Sequence, residues 1–117
     1  LSAQSLQHHH WVLEKIDGVP LPAEKGQAPD LEIGEHLRAN GSAGCNRYFG
    51  QVEVQGTQLR IKQMASTMMF CPPPRQDWER AMTSTLSEWS EANLSEQQLR
   101  LKGPQHELQF KLQDWVR

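Results

Sequence analysis

A cysteine inside a glycine-flanked turn is the feature that most constrains how this chain can fold. Cys45 follows Gly44 in the stretch GCNRYFG, which ends at Gly50. Cys71, the second of the two cysteines, stands directly before three consecutive prolines. Glycine accepts backbone conformations that other residues resist, and proline interrupts regular structure, so each cysteine lies beside a break. Two cysteines in such positions are more typical of a constraint on the fold than of an active site.

The length and charge of the chain limit its class. Its 117 residues correspond to one domain with room for one modest core. Charged residues make up 22% and the formal net charge is -2, with the basic residues scattered, so we expect no nucleic-acid binding. No apolar run approaches the ~18 residues that span a bilayer. We predict a tether at residues 1–9 and a single domain at residues 10–117.

Apolar and polar residues alternate in several short segments, a pattern that predicts an antiparallel sheet with one polar face. The strands or extended segments are expected at residues 10–16, 31–39, 47–54, 59–62, 64–70, 98–102 and 107–113. Segment 31–39 is either two short strands joined near Gly34 or one bent strand with a bulge. Segment 64–70 is expected to be buried, whereas residues 19–29 and 40–46 are expected to form loops.

One helix is predicted after Pro74, over residues 75–91. Its apolar positions recur at three- and four-residue steps, at Trp78, Ala81, Met82, Thr85, Leu86 and Trp89. The order of elements predicts an α+β fold, in which a curved, mostly antiparallel sheet or partly open barrel packs against this one long helix. Parallel βαβ units are disfavoured because alternating helices are missing.

Two blocks of the sequence resemble the signature blocks of the META domain family. The first is the stretch at residues 44–50, and the second is the run MASTMMFC at residues 64–71. The signature residues of the first block are Gly44, Cys45, Asn46, Arg47 and Gly50. Further similarities lie near the two ends of the chain, at Leu6, Gln7, His8, His9, Val12, Leu13, Glu14 and Gly18, and at His106, Leu108, Lys111, Leu112 and Asp114.

This resemblance implies a small α+β domain of bacterial envelope proteins, often lipid-anchored after signal cleavage and associated with heat or antibiotic stress. It implies no catalytic residues, because none are established for the family. Since the chain begins at Leu1, we expect that an N-terminal segment has been removed, and the sequence leaves open whether this was a secretory signal, a segment with a lipid-anchored cysteine or something else. We therefore expect a periplasmic protein, free or lipid-anchored to the outer membrane, that meets the membrane only through such an anchor.

Cys45 and Cys71 could form a disulfide, since an even number of cysteines in an oxidising compartment permits one. The bond would close a loop of about 26 residues and stabilise the fold by about 3.5 kcal/mol in the chain-entropy model. Two buried thiols that never meet are the alternative, and the sequence leaves both open. As a nucleophile, Cys45 would need a base and an orienting group, and nothing places His36 in that role.

No sequence pattern indicates catalysis, a cofactor or a metal site. The serine-hydrolase, phosphate-loop and zinc-protease motifs are absent. Adjacent strand residues point to opposite faces, so only His8 and His10 of the run at residues 8–10 could share an ion. A solvated strand entrance is the simpler interpretation of that run. We therefore predict a protein that is not an enzyme and that holds no cofactor.

Tryptophan and methionine residues provide the one candidate ligand site. The four tryptophans, interpreted as core anchors, are Trp11, Trp78, Trp89 and Trp115. An apolar pocket between helix and sheet would be lined by Met64, Met68, Trp78, Met82 and Trp89. Ordinary filling of the core is the alternative.

Two functional hypotheses follow from these observations. In the first, the chain is a monomeric, non-catalytic, stress-associated envelope protein that binds or braces an unknown envelope protein. In the second, it is a carrier or pilot-like module that holds an acyl chain or an apolar peptide between helix and sheet.

Overall fold

The computed structural model describes residues 2–22 and 27–114, and these form a closed antiparallel β-barrel. The strands are β1 (His9–Ile16), β2 (Val19–Pro20), β3 (Asp30–Ile33), β4 (Arg38–Ser42), β5 (Arg47–Gln55), β6 (Gln58–Ser66), β7 (Ser90–Leu94), β8 (Gln98–Lys102) and β9 (Glu107–Leu112). The helices are α1 (Ala3–Leu6), a 3-10 turn (Glu35–Leu37) and α2 (Arg75–Leu86). Residues 23–26 of the predicted loop 19–29, and the predicted core anchor Trp115, lie outside the described residues.

Pairing between the first and the last strand closes the barrel. Strand β1 runs antiparallel to β9, with Trp11 opposite Leu112 and Ile16 opposite Leu108. The other edge of β1 is shared, because its first half pairs with β3 whereas Lys15 and Ile16 pair with β2. Within the described part of the chain, eight strands therefore form the ring and β2 is an additional strand.

Alternate residues point into the barrel and fill it. In β8 and β9, Leu99, Leu101, Leu108 and Phe110 are fully buried while the residues between them are more exposed. The interior of an eight-stranded barrel is just wide enough for such side chains. Leu6 of α1 is also fully buried, although it belongs to the segment predicted as a tether.

The predicted α+β fold, a curved sheet or partly open barrel packed against one long helix over residues 75–91, is wrong. The structure is mostly β, the barrel is closed, and α2 has only 12 residues. The closure joins opposite ends of the chain, so no local alternation pattern indicates it. Strand β7 was missed because its inward positions include the small residues Ser90 and Ala92, which give little apolar alternation.

Helix α2 ends at Leu86, although apolar spacing predicted that it would continue past Trp89. The hydroxyl of Ser90 donates a hydrogen bond to the backbone carbonyl of Thr85 at 2.8 Å, which satisfies a carbonyl in the last turn. Trp89 lies beyond the helix, with the guanidinium of Arg60 4.8 Å from the centre of its ring. The spacing of Trp89 therefore reflects packing against β6 and not a further helical turn.

Asp17 links the end of β1 to the beginning of β9. Its Oδ1 accepts the backbone N–H of Glu107 at 2.8 Å, and its Oδ2 lies 2.7 Å from Nδ1 of His106. The hydrogen bond from His106 and then that from Glu107 hold the pKa of Asp17 below its usual value. The ionised carboxylate is therefore the form that stabilises this end of the β1–β9 pair.

Asp114 makes the equivalent link at the other end of the same strand pair. It accepts the backbone N–H of His10 at 3.0 Å and lies 3.1 Å from Nδ1 of His9. Burial raises the pKa of Asp114, but the hydrogen bonds from His10 and His9 outweigh it, so the pKa is lowered. Two aspartates thus hold together the strands that close the barrel.

Replacing Asp17 by Asn should lower the free energy of unfolding at neutral pH by about 1 kcal/mol, because the charge-assisted contacts with β9 are lost. A carboxylate whose folded pKa is lowered stabilises the fold above its unfolded pKa, and the effect is lost as the pH falls through the folded pKa. The unfolded value is near 3.8. Urea unfolding of both proteins should therefore show a difference that shrinks below about pH 4.

The control for this comparison is Glu96→Gln, which removes a carboxylate that makes no hydrogen bond with the described residues. It should leave the free energy of unfolding unchanged both at neutral pH and below about pH 4. A difference between Asp17→Asn and the unmodified protein that stayed constant down to about pH 2 would contradict the proposed role of the ionised form.

Candidate functional site

The first signature block begins in a buried turn between β4 and β5 and continues into β5. A disulfide between Cys45 and Cys71 joins this turn to the segment that follows β6. Gly44 has a φ of +112°, and a Cβ there would lie 3.2 Å from both the carbonyl of Arg75 and the Cβ of Trp78. The Nε of Arg75 donates a hydrogen bond to the carbonyl of Gly44 at 2.7 Å. The turn therefore packs against the first turn of α2 so closely that glycine is strongly favoured.

Asn46 is the centre of the hydrogen bonds around this turn, and it is only 3% exposed. Its Nδ2 donates to the carbonyl of Met69 at 3.0 Å and to Glu79 Oε2 at 2.9 Å. Its Oδ1 accepts the backbone N–H of Met69 at 2.6 Å and the hydroxyl of Thr67 at 2.9 Å. Its own backbone N–H donates to Glu79 Oε1 at 2.6 Å. One side chain thus joins β5, α2 and the segment after β6.

The other residues of the block also have structural contacts. A Cβ on Gly50 would collide with Cγ2 of Ile61 on the neighbouring strand. The hydroxyl of Tyr48 donates to the carbonyl of Asp30 at 2.7 Å. Burial, and then the charge of Asp30, raise the pKa of Tyr48 well above its usual value. Arg47 is exposed, so of the signature residues it is the one whose side chain is open to solvent.

The segment held by Asn46 carries three exposed apolar side chains, and we call residues 68–70 the apolar loop. The exposed fractions are 92% for Met68, 59% for Met69 and 86% for Phe70. The prediction that segment 64–70 is buried is therefore wrong, since residues 65–70 are exposed and Met64 is half-buried. Exposed apolar side chains that adjoin one another commonly mark interaction surfaces. Only the backbone of Met69 is tied to Asn46, so the side chains remain available.

The five residues predicted to line an apolar pocket do not line one cavity. Met82 is fully buried in the core and Met64 packs partly against it. Met68 is in the apolar loop, and Trp89 contacts Arg60.

Of the five, Trp78 borders a surface cleft that has a volume of about 250 Å³. It lies between α2 and the β1–β2 hairpin. Its walls are formed by Ile16, Val19, Pro20, Leu21, Pro22, Asp77, Trp78, Ala81 and His106. The walls are mostly apolar, so the cleft suits an apolar group better than a charged one.

The histidine run has structural contacts. His10 is only 4% exposed, and its two ring nitrogens lie 2.8 Å from Asp30 Oδ2 and 2.8 Å from the carbonyl of Gln113. The interpretation of the run as a solvated strand entrance is therefore wrong for His10.

No cluster of three or more potential metal ligands occurs among the described residues. In the same part of the chain, no helix combines the length and apolar character needed to cross a membrane.

Sequence reasoning missed two components of the site. The first is Glu79, whose carboxylate accepts two hydrogen bonds from Asn46, a role that no sequence pattern indicated. The exposure of the apolar loop was also missed, because a run of methionine and phenylalanine predicts burial. The adjoining prolines and Cys71 were the available signals that regular strand structure ends there.

Replacing Asn46 by Ala should lower the free energy of unfolding by about 2–4 kcal/mol, because it removes the amide donor to Glu79 Oε2 and the amide contacts with the N–H and carbonyl of Met69. Urea unfolding would measure this loss. Asn93→Ala is the matched control, since Asn93 is exposed and its side chain makes no hydrogen bond with the described residues. Equal stabilities of the two variants would show that the contacts of Asn46 contribute little.

The chain and its fold are similar to known proteins. The profile of the META domain matches residues 4–115. Over 115 residues the chain is 31% identical to heat shock protein HslJ of Escherichia coli strain K12, covering 97% of this chain and 81% of that protein. A protein structure solved by NMR, 30% identical, superposes with a TM-score of 0.87 over 100% of this chain and 99% of the other.

A second NMR structure, of a protein from Burkholderia xenovorans, is 24% identical and shares the fold. Its TM-score is 0.74, over 94% of this chain and 85% of the other. The family profile spans both predicted signature blocks and all the predicted similarities near the two ends of the chain. The resemblance predicted from the sequence is confirmed, and the chain belongs to the META domain family.

Proposed function

We propose that this protein is a non-catalytic, stress-associated binding protein of the bacterial envelope that contacts its partner through the apolar loop. The exposure of Met68 and Phe70, in a segment held in place by Asn46 and the disulfide, is the observation that carries this proposal. Apolar groups presented by a rigid scaffold lose little conformational freedom on binding, which favours complex formation. The name of the relative HslJ supports the association with heat stress.

A periplasmic location, free or lipid-anchored to the outer membrane, is part of this proposal. The disulfide supports it, since such bonds persist in oxidising compartments. The absence of catalysis is also proposed, and it is supported by the engagement of titratable residues in links between strands. His10 contacts Asp30, and His106 contacts Asp17. These contacts hold elements of the barrel together.

The double substitution Met68→Ser/Phe70→Ser should abolish function without unfolding the protein, because both side chains are exposed. The experiment measures survival of heat stress in bacteria that lack their own META-domain protein and carry the variant. Asn93→Ala is the control, since Asn93 is exposed and lies outside both the apolar loop and the cleft beside Trp78. Circular dichroism should show the same fold for all three proteins. Full rescue of survival by the double variant would refute the proposed role of the loop.

The cleft beside Trp78 supports a second candidate function, the binding of an acyl chain or apolar peptide. This is the carrier or pilot-like hypothesis, located between α2 and the β1–β2 hairpin. Native mass spectrometry of the purified protein should then detect a bound lipid, and Ala81→Trp should displace it by filling the cleft. A clean unliganded mass, together with no uptake of added fatty acids, would remove this candidate.

A further inference from the structure

The main-chain groups of the segment after β6 alternate in direction. The N–H of Thr67 donates to the carbonyl of Arg47 at 3.0 Å. The N–H and carbonyl of Met69 both meet the side-chain amide of Asn46, at 2.6 Å and 3.0 Å. Residues 67 and 69 therefore turn their main-chain groups towards β5, and the amide of Asn46 takes the place of a neighbouring strand residue.

Met68 and Phe70 turn their main-chain groups the other way. Among the described residues, neither the N–H nor the carbonyl of these two residues has a hydrogen-bond partner. In an extended chain, successive residues direct their main-chain groups to opposite sides, so those of Met68 and Phe70 face away from β5. The segment is thus paired along one edge and open along the other.

The open edge continues into β6. Strand β7 pairs only with Gln58 and Leu59, so the rest of β6 has a strand neighbour on the β5 side alone. A bulge opposite residues 49–51 then interrupts the edge, and Gln63 at this point has a φ of +55°. Bulges weaken edge-to-edge pairing, so the regular part of the open edge runs from about Ser66 to Phe70.

We propose that this edge is a strand-addition site, at which an extended segment of a partner protein pairs with the main chain of residues 66–70. The proposal rests on the proposed function, in which the apolar loop is the binding surface. The partner segment would be about five residues long, since the edge spans about 13 Å at 3.3 Å per residue. Main-chain hydrogen bonds would provide affinity, and apolar side chains of the segment would lie against Met68 and Phe70.

The composition of this edge favours a site that accepts partner segments of different sequence. Methionine has a flexible and polarisable side chain that adapts to differently shaped apolar neighbours. Main-chain pairing does not depend on the identity of the partner's side chains. The site therefore suits extended segments that share alternating apolar residues, with no single required sequence.

A polypeptide fits this edge better than a lipid bilayer. Insertion into hydrocarbon would leave the outward N–H and carbonyl groups of Met68 and Phe70 without partners, at a cost of several kcal/mol. An extended polypeptide offers partners for these groups as well as apolar contacts. A second copy of the chain would have to pair through the same bulged edge, which disfavours self-association.

The test uses a fluorescein-labelled peptide of alternating valine and threonine with a lysine at each end. A second peptide of the same sequence carries N-methyl groups on the residues that face the edge, so it cannot donate hydrogen bonds there. Fluorescence anisotropy should show binding of the first peptide and at least about tenfold weaker binding of the second. Met68→Ser/Phe70→Ser should also bind about tenfold more weakly, whereas Asn93→Ala should bind like the unmodified protein.

Each other outcome overturns the strand-addition proposal. Equal binding of both peptides would mean that apolar contact acts without main-chain pairing. Sedimentation with phospholipid vesicles, or formation of a dimer, would identify a different occupant if either depended on Met68 and Phe70. No binding of either peptide, while the double variant still fails to protect cells from heat, would reject strand addition and leave the proposed function intact. Full heat protection by the double variant would reject the proposed function itself.

Discussion

The rest of the structure depends on the pairing of β1 with β9. This pairing turns an open meander into a ring, and it buries Trp11, Leu13, Leu108 and Phe110 in a common interior. A closed ring also removes the exposed edges that an open sheet would present at its first and last strands. Aspartates at both ends of the pair accept backbone N–H groups of the opposite strand, so closure combines ladder hydrogen bonds with charge-assisted links.

Asn46 attaches the irregular segment after β6 to the barrel. The chain leaves β6 at Ser66 and enters α2 at Arg75, and the residues between them belong to no strand. An asparagine amide has donors and acceptors in one plane, and here it bonds to Met69 as a neighbouring strand would. The disulfide and Gly44 keep the turn close to α2. The family signature thus describes how an apolar segment is held at the surface.

Local patterns predicted most individual strands, and the signature blocks predicted the family. The alternation around Leu99, Leu101, Leu108 and Phe110 gave their inward positions, since period-two burial is a local property. The closure was not predictable in this way, because it depends on residues almost a whole chain apart. The apolar loop was missed for another reason. Its residues have the composition of a core strand, whereas the hydrogen bonds of Asn46 and the disulfide hold this segment at the surface.

The position of the closing pair has a consequence for how the protein is made. Strand β1 is synthesised before the other described strands, whereas its partner β9 is synthesised after them. Contacts between residues so far apart require a large loss of chain entropy before they form, which slows folding. One edge of β1 therefore stays without its partner until β9 has been synthesised, and a chain that stopped before β9 would retain most strands but no complete barrel.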